Sequence, residues 1–591
     1  MSHNELSSRL TELRALMKKK GATHFWLRAT DVYLNEYVPK DLSRRVYVTG
    51  FTGSLGDAII GLDSATLFVD GRYALQGKSE ATEFNVKVLP LGESIESACL
   101  KELRNCKKGD VVLVEDDCTP ESVFAPLAQL AKDGEFTLRS DGGIVEELRQ
   151  SKNESAPHML GKIWQADPNI LGTSVADRLA TIDTTLKNNH VDGYLLVALD
   201  DIAWLSGFRG LDFAYQSIFA ARALVLKDQL WLITPHSSQQ FASDSHIRCF
   251  EKFEQAAAEL GKINIGFDPS STPVTLLHQL EATGIQLKKM PNPVQSLKVH
   301  KPKSEIDHLV DGFKRADKVV HNTQAWLCKE VMAGKRVSEL DVSNYVSAEF
   351  ARSGTVALSF TPICGYAKNA AIIHYSNPDP NIEIKPGEMF LLDTGGIYEG
   401  GYTTDLTRTF LVGDAGTKAA KAHQQMFTLV LKAAIIGMSA RIPLGTTGVQ
   451  LDAMVRAPLW QNGLNFAHGT GHGLGINVHE FPPRVATVGH APIEVGHVFS
   501  IEPGLYFPNF GGVRIENMCT AVPDPQKGKG FLRVVPLTFS PLDERLIDYE
   551  MLSEFEKNFL KFFKKRFESS SAEWNEPFPL DEQASELMLT D

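Results

Sequence analysis

The first half of the sequence contains the same pattern twice, and this internal repeat restricts the fold more than any other feature. RLTELRALMKKKGATHFWL from Arg9 and RLATIDTTLKNNHVDGYLLV from Arg178 each read as an amphipathic helix, a polar turn and an apolar strand. The turns VTGFTG and LSGFRG then stand at corresponding places, and each precedes a further strand-like run. A chance likeness between such units is the alternative, but the shared Gly-Phe-x-Gly turn favours two similar mixed α/β domains, over residues 1–150 and 151–298.

The remaining residues, 299–591, read as a third domain with a C-terminal extension. It is entered through SLKVHKPKSEIDHLVDGF, in which Ser304 begins an S-x-x-D pattern typical of a capping box. Ile306, Leu309 and Phe313 follow at helical spacing. The predicted fold class is therefore α/β (α+β), in three parts.

Composition excludes several kinds of partner. The net charge is −12 and no run is rich in Lys or Arg, so we expect no nucleic acid partner. No apolar run approaches the ~18 residues of a membrane span, and the N-terminus lacks the apolar segment of a secretory signal. Seven scattered cysteines without a C-x-x-C motif predict a reducing, cytoplasmic setting.

The stretch AHGTGHGLGINVHEFP places His468, His472 and His479 close together in the sequence. The H-x-x-x-H spacing of the first two is typical of a metal pair on a helix face. The glycines between and after them make a helix unfavourable here, so the segment is expected to be irregular. A metal site, a general-base cluster and a solvated loop all remain open, and any bound metal needs ligands from elsewhere in the chain.

Acidic residues after apolar runs in the third domain supply such ligands. In MFLLDTGGIYEGGYTTDLTRTF, Asp393 ends one strand-like run and Asp405 begins another, and the EGG between them can form a hairpin turn that brings them together. VFSIEPGLYF places Glu502 at the end of a strand-like run, and GGVRIENM places Arg514 and Glu516 on one strand face. Burying a charged carboxylate in such a position costs free energy of folding unless a counter-charge or a proton neutralises it.

Individually, each of these carboxylates could be a capping or salt-bridged residue. Together, four carboxylates and one neutral histidine balance the charge of two divalent cations, which lets a metal-bridging hydroxide form, as in a two-metal hydrolase. Oxygen-rich ligation with one imidazole favours Mn²⁺, with Co²⁺ or Zn²⁺ as alternatives.

These residues match in type and order the ligands of the pita-bread metallopeptidases. The sequence resembles more closely the three-domain cytosolic Xaa-Pro aminopeptidases (aminopeptidase P), over nearly its whole length. The motifs that carry this resemblance are NEYVPKDLSRRVYVTGFTGSLG and FVDGRYALQ in the first domain, LDDIAWLSGFRG in the second, IIHYS, DTGG, TTDLTRTF, HGTGHGLG, NVHE, IEPGLY and VRIEN in the third, and PLTFSPLDERLIDYEML towards the C-terminus.

The resemblance implies a pita-bread catalytic domain over 299–591 and two creatinase-like domains before it. It implies that Asp393 binds one metal ion, that His472 and Glu502 bind the other, and that Asp405 and Glu516 bridge both. A bridging hydroxide would attack the carbonyl carbon before proline, with Glu502 moving the proton to the proline nitrogen.

The resemblance also implies roles around the peptide. His374 and His479 would contact the substrate and stabilise the oxyanion, and His468 would line the proline pocket. Arg514 would support the metal ligands. The implied substrates are peptides with a penultimate proline, and the implied assembly is a homodimer.

Three other functions share part of this pattern. A prolidase shares the ligands but cleaves Xaa-Pro dipeptides, and the long two-domain first half argues against it. A non-catalytic pita-bread binding module or a metal-free creatinase-like hydrolase would be expected to lack the ligand set. Relative to the family, the Asp393–Asp405 hairpin is one residue longer than usual, and the link from His472 to His479 is shorter than in the animal enzymes.

Overall fold

A computed structural model describes residues 3–141, 143–155, 160–526, 530–569 and 573–580 of the chain. Within these ranges, no helix is both long and apolar enough to cross a membrane. The elements fall into three groups along the sequence. Short 3₁₀ turns supplement them at Gly71–Tyr73, Ser238–Phe241, Ala367–Ala371, Glu544–Leu546 and Tyr549–Met551.

The first group is a six-stranded sheet covered by helices. Its sheet has the order β4-β3-β2-β1-β5-β6, with β1–β2 and β2–β3 antiparallel and the other pairs parallel. The predicted N-terminal helix forms and buries Leu10, Leu13 and Met17. The elements are α1 (His3–Lys19), β1 (His24–Leu27), α2 (Arg44–Thr49), β2 (Asp57–Gly61), β3 (Ala65–Val69), α3 (Ala74–Glu80), β4 (Asn85–Val88), α4 (Ile95–Leu103), β5 (Val111–Val114), α5 (Glu121–Asp133), β6 (Thr137–Ser140) and α6 (Ile144–Ser151).

The second group repeats this topology. Its sheet has the order β12-β11-β10-β8-β13-β14, with the same sequence of antiparallel and parallel pairs, and β7 and β9 form a separate ribbon. The elements are β7 (Ile163–Gln165), α7 (Pro168–Leu171), α8 (Val175–Asn188), β8 (Gly193–Leu196), α9 (Leu199–Ser206), β9 (Phe208–Gly210), β10 (Arg222–Leu226), β11 (Leu230–Ile233), β12 (Ile247–Phe250), α10 (Phe253–Leu260), β13 (Asn264–Phe267), α11 (Val274–Ala282), β14 (Gln286–Lys289) and α12 (Pro293–Lys298).

The Gly-Phe-x-Gly turn has the same backbone role in both groups. Gly50 follows α2 with φ 74°, and Gly207 follows α9 with φ 75°. Each glycine ends a helix in the left-handed region, where residues with a side chain are strained. The internal repeat predicted from the sequence is therefore confirmed at the level of sheet order and of this turn.

The third group contains the 30-residue helix α13, the longest among the described residues, and its two main sheets have three and six strands. The three-stranded sheet has the order β16-β17-β19, and the six-stranded sheet has the order β20-β27-β26-β23-β21-β22. The elements are α13 (Lys303–Met332), α14 (Glu339–Arg352), β15 (Ala357–Leu358), β16 (Ile363–Tyr366), β17 (Met389–Thr394), β18 (Gly396–Ile397), β19 (Leu406–Leu411), α15 (Lys421–Met438), β20 (Arg441–Pro443), α16 (Gly448–Trp460), β21 (Gly471–Gly473), β22 (Glu480–Val485), β23 (Val498–Ile501), β24 (Gly504–Phe507), β25 (Gly511–Arg514), β26 (Asn517–Pro523), β27 (Phe531–Pro536) and α17 (Glu554–Glu568).

The helix that opens this third group begins earlier than the sequence indicates. The residue at the N-cap of α13 is Pro302, and Ser304 lies inside the first turn of the helix. The capping box predicted at Ser304 is therefore wrong, because the chain enters the helix through a proline, whose fixed φ suits a helix start. The predicted apolar face is correct, since Ile306, Leu309 and Phe313 are buried.

Candidate active site

The five predicted ligands lie where the three-stranded and six-stranded sheets of the third group meet. Asp393 is on β17 and Asp405 directly precedes β19, and these strands pair antiparallel, with Asp393 opposite Thr407. The other three come from the larger sheet: His472 on β21, Glu502 directly after β23, and Glu516 directly before β26. The two sheets join here, because the backbone N–H of Glu516 donates to the carbonyl of Thr407 at 3.2 Å.

Asp405, His472 and Glu516 form the centre of this group. All three are buried, and one ligand atom from each lies within 4.8 Å of the others. His472 lies on the short strand β21, where the sequence predicted an irregular segment; the pairing with β22 shifts register directly after it, and the exclusion of a helix is confirmed. Its Nδ1–H donates to the carbonyl of Gly473 at 3.0 Å, which leaves Nε2 as an acceptor in the neutral ring. Nε2 then faces Asp405 Oδ2 and Glu502 Oε1, each at 3.5 Å. Three acceptor atoms in this arrangement require a proton or a cation between them.

The acidic groups also repel one another. Burial, followed by the charges of Asp393 and Glu502, raises the pKa of Asp405 well above its usual value. Burial and the charge of Asp405 do the same to the pKa of Glu516. A divalent cation favours the charged form of each carboxylate. The donor set, rich in oxygen with one imidazole nitrogen, therefore fits divalent metal ions of the Mn²⁺ to Zn²⁺ type.

Asp393 stands at the edge of this centre, beside Arg514. Its Oδ2 accepts from Arg514 Nη2 at 2.5 Å, while its Oδ1 is buried without a hydrogen-bond partner among the described residues. A buried carboxylate oxygen without a donor is a further position for a cation. Arg514 reaches Glu516 only indirectly: Nε donates to Thr407 Oγ1 at 3.1 Å, and that hydroxyl donates to Glu516 Oε2 at 2.7 Å.

The prediction that Arg514 and Glu516 share one strand was wrong. Arg514 ends β25, which pairs with β24, whereas Glu516 precedes β26, which pairs with β23 and β27. The extended chain changes partner strands between the two residues, because the intervening segment passes from one sheet to another.

His468 has no ring nitrogen free for a ligand. Its Nδ1–H donates to the carbonyl of Gly469 at 2.7 Å. Burial, followed by the charge of Arg514, holds its pKa well below the usual range, so the ring is neutral and Nε2 accepts from Tyr506 Oη at 2.9 Å. Arg514 Nη1 donates in turn to Tyr506 Oη at 2.9 Å. His468 can therefore offer a peptide the face and edge of its ring, and Tyr506 fixes its orientation.

His374 and His479 are held by the first domain of the same chain. Glu36 Oε2 lies 2.9 Å from His479 Nδ1. Tyr73 Oη lies 2.8 Å from His374 Nδ1. The His479 ring also packs edge-on against the His472 ring, with centroids 4.4 Å apart. The two histidines predicted to face the substrate therefore lie at a border between domains, and His479 packs against the proposed ligand His472.

The chain around His479 is anchored by its neighbour Glu480, which contacts Lys298 at the end of the second domain and groups of the third domain. Glu480, the next residue, is buried and accepts from the backbone N–H groups of Ile476 and Asn477. Its carboxylate lies 3.5 Å from Nζ of Lys298 and 3.5 Å from Nζ of Lys301.

Several residues at the site were not singled out from the sequence. They lie inside motifs that the resemblance quoted, so motif membership was the available signal, but nothing in their spacing indicated contact with the histidines. These residues are Glu36, Tyr37, Ser54, Tyr73, Thr407 and Tyr506.

Comparison with known proteins shows which family this chain belongs to. Two matches to the Creatinase/Prolidase N-terminal domain cover residues 9–151 and 155–305, and a match to metallopeptidase family M24 covers 311–522. The probable Xaa-Pro aminopeptidase P of Talaromyces marneffei is 30% identical over 586 residues, which span 94% of this chain and 88% of that protein. This chain belongs to the Xaa-Pro aminopeptidase P family of M24 metallopeptidases. It is a metal-dependent aminopeptidase, a hydrolase.

A further relative supports the family, and two solved structures share the fold. The probable Xaa-Pro aminopeptidase P of Aspergillus niger is 30% identical, with 93% of each chain covered. The X-prolyl aminopeptidase of Caenorhabditis elegans, a cytosolic enzyme with a di-nuclear active site, superimposes with a TM-score of 0.87 over 96% of each chain at 24% identity. The Xaa-Pro dipeptidase of Bacillus anthracis covers 63% of this chain with a TM-score of 0.52. The predicted fold class, two similar α/β domains followed by a pita-bread catalytic domain, is confirmed.

Proposed function

We propose that this enzyme removes the first residue from peptides whose second residue is proline, and that it requires a free amino terminus. The observation that carries the proposal is the convergence of five ligand-type side chains, beside three histidines, in a chain related along its length to the Xaa-Pro aminopeptidases P.

The proposed centre holds two divalent metal ions. Asp393 would bind one, His472 and Glu502 the other, and Asp405 and Glu516 would bridge them. When bound, the ions would activate water and polarise the scissile carbonyl. Mn²⁺ is the proposed metal, with Co²⁺ and Zn²⁺ as alternatives. Support comes from the unshared Oδ1 of Asp393 and from the raised pKa values of Asp405 and Glu516, which cations would relieve.

The side chains around the centre would then move the proton and hold the peptide. Glu502 is 17% exposed and accepts from Ser500 Oγ at 3.3 Å, so it can take a proton from water and pass it to the proline nitrogen. His374 and His479 would contact the peptide through Nε2, since Nδ1 of each is held by the first domain. His468 would form the wall of the proline pocket through its ring face.

A peptide panel tests this function. Purified protein loaded with Mn²⁺, Co²⁺ or Zn²⁺ is assayed on an Xaa-Pro-Yaa tripeptide, its N-acetylated form, the Xaa-Ala-Yaa tripeptide and the Xaa-Pro dipeptide, with metal content measured in the same samples. We expect release of the first residue from Xaa-Pro-Yaa alone. Faster turnover of the dipeptide would make the enzyme a prolidase. Two bound metals without turnover of any peptide would contradict the proposal.

The proposal extends to the oligomeric state, the cellular location and the domain limits of this enzyme. We propose a homodimer in the cytoplasm, with domains at 1–150, 151–298 and 299–591. All seven cysteines lie in the described part of the chain as free thiols, which fits a reducing compartment. Analytical ultracentrifugation measures the assembly, and a monomer at micromolar concentration would contradict the dimer.

A further inference from the structure

A histidine, a cysteine and an aspartate from three separate segments converge at one end of the first-domain sheet. His24 is the first residue of β1, Cys106 follows α4, and Asp110 directly precedes β5, the strand that pairs with β1 in parallel. One ligand atom of each lies within 4.8 Å of the others. The active centre meets the first domain elsewhere, through residues that follow β1 and β3 at the opposite end of the sheet.

A tight turn sets the spacing of the cysteine and the aspartate. The backbone N–H of Asp110 donates to the carbonyl of Lys107 at 2.9 Å, and Gly109 has φ 96°. A positive φ at this position is typical of a type II turn and is adopted by glycine without strain. Asp110 Oδ2 also accepts from the backbone N–H of Lys107 at 2.7 Å, while Oδ1 has no partner among the described residues. The turn therefore fixes the carboxylate and leaves one of its oxygens for a ligand.

The thiol of Cys106 faces the His24 ring. Cys106 is 8% exposed, and its Sγ lies 3.8 Å from Nδ1 of His24, the only polar contact of that sulfur among the described residues. A sulfur and a nitrogen bound to one Zn²⁺ ion in tetrahedral geometry lie about 3.5 Å apart. A metal-free S–H···N hydrogen bond has a similar length, so the carboxylate of Asp110 beside both groups is the feature that indicates a cation.

Nδ1 of His24 can bind an ion without leaving its hydroxyl neighbour unpaired. Thr23 Oγ1 lies 2.9 Å from Nδ1 and 3.2 Å from the carbonyl of Val111, and it accepts from the backbone N–H of Val111 at 2.9 Å. The hydroxyl has one proton, which can go to either acceptor. A cation on Nδ1 therefore directs that proton to the carbonyl, and the contact between Thr23 and Val111 is kept.

From this convergence we propose that Nδ1 of His24, Sγ of Cys106 and the carboxylate of Asp110 bind one divalent ion of the Zn²⁺ type, at a site separate from the active centre. Thiolate and imidazole ligands favour Zn²⁺, whereas the oxygen-rich ligands of the active centre favour Mn²⁺. His24 and Asp110 are half-buried, so solvent reaches the fourth position of the ion. The ion joins the starts of β1 and β5 to the turn after α4 and so stabilises the first domain.

Binding of the ion displaces one proton. Burial, followed by the charges of Asp110 and Glu102, raises the pKa of Cys106 to about 11, so the free protein holds the thiol at neutral pH. When the ion binds, the S–H bond breaks, the proton goes to solvent, and the sulfur electron pair forms the bond to the ion, with no change of oxidation state. The same two acidic groups attract a cation to the site.

Titration of the full-length protein with Co²⁺ tests the site. The active centre is first loaded with Mn²⁺, and a phosphine keeps the cysteines reduced without adding a thiol. Co²⁺ bound by a thiolate absorbs strongly in the near ultraviolet, and the five proposed ligands of the active centre include no sulfur. We expect this band to saturate at one thiolate-bound Co²⁺ per chain and to disappear when Zn²⁺ is added. Absence of the band in the wild type would overturn the proposal.

Variants identify the ligands. Cys106→Ser should lose the band and bind one metal ion fewer than the wild type. His24→Gln and Asp110→Asn keep the thiol, and the Co²⁺ concentration at half saturation should rise at least about 10-fold in each, as it does when supporting groups are removed from metal sites. The matched control is Cys249→Ser, at a half-buried thiol whose pKa burial alone raises to about 11 and which belongs to no cluster of metal-ligand side chains among the described residues. It should keep the wild-type band.

The site is refuted by either of two results. One is a band that survives in Cys106→Ser, and the other is an unchanged half-saturation point in His24→Gln or in Asp110→Asn. The last two variants change half-buried positions, so they keep the test decisive if Cys106→Ser impairs folding. If the wild type fails to cleave an Xaa-Pro-Yaa peptide while the band behaves as expected, the proposed function is wrong and this metal site still stands.

Discussion

The first and second domains have the same sheet order but contact the catalytic domain in different ways. The first domain approaches through titratable side chains that end at His374 and His479. The second domain holds backbone behind the site: Arg209 Nε donates to the carbonyl of Gly400 at 3.1 Å, and Ser217 donates to the carbonyl of Gly401, in the turn between Asp393 and Asp405.

The difference is visible within the repeated turn itself. In Gly-Phe-Arg-Gly, the arginine is fully buried against Gly401, where a Cβ would lie 2.5 Å from its side chain. In Gly-Phe-Thr-Gly, Thr52 instead donates to Glu80 within its own domain, and the next residue after the turn, Ser54, donates to Glu36 at 3.2 Å. The repeat thus supplies one backbone scaffold twice, and single side chains decide which part of the catalytic domain each copy contacts.

Substitution of a proposed metal ligand should have the largest effect on activity. Asp405→Asn keeps the shape of the side chain but removes the charge of a proposed bridging ligand, so two cations would be poorly shielded from each other. We expect metal content to fall to one ion or none and activity to fall by at least ~10³-fold, more than loss of a single oxyanion donor. Metal analysis with steady-state kinetics measures both. Full activity with two metals bound would refute the bridging role.

The next largest effect should be a loss of folding stability, caused by a substitution in the second domain. Lys298 is 4% exposed and forms ion pairs with Asp200 and Asp201, with Glu480 3.5 Å away. Lys298→Met would leave the buried Asp201 and Glu480 and the half-buried Asp200 without their main counter-charge, and breaking a buried ion pair costs ~3–5 kcal/mol.

We expect a lower thermal midpoint for Lys298→Met and faster proteolysis near His479. The matched control is Lys303→Met, which removes an exposed lysine of α13 that pairs with Asp307 on the same helix. If Lys298→Met kept its midpoint and lost only kcat, the second domain would be acting on catalysis, and the contrast between the domains would be wrong.

The smallest expected effect also tests the difference between the first and second domains. Arg209→Leu removes donors from the buried carbonyls of Gly400, Ala203 and Phe208, and an unsatisfied buried group costs ~1–3 kcal/mol. We expect a lower thermal midpoint with kcat within about threefold of wild type at 25 °C, measured by thermal unfolding and steady-state kinetics. Arg248→Leu, at an exposed arginine paired with Glu259, should stay within ~0.5 kcal/mol of wild type.

The sequence by itself determined what depends on short-range pattern. Apolar periodicity indicated the repeated domains and the long helix of the third, and the glycines around His472 excluded a helix, since each signal acts within one or two turns of chain. Carboxylates after apolar runs, together with their order, indicated the five proposed ligands. The capping box at Ser304 failed because Pro302 offered a better helix start, a local choice that the pattern alone did not resolve.

Only the tertiary structure decided which groups meet. Tyr73 and His374 are 301 residues apart in sequence, and Glu36 and His479 are 443 apart. Their contacts exist because the first domain docks against the catalytic domain, and no periodicity encodes that docking. The same holds for Arg514, whose main partner is Asp393 rather than the nearby Glu516, because the chain changes sheets between positions 514 and 516. Hydrogen bonds require atoms within about 3 Å, a condition set by how separate domains pack.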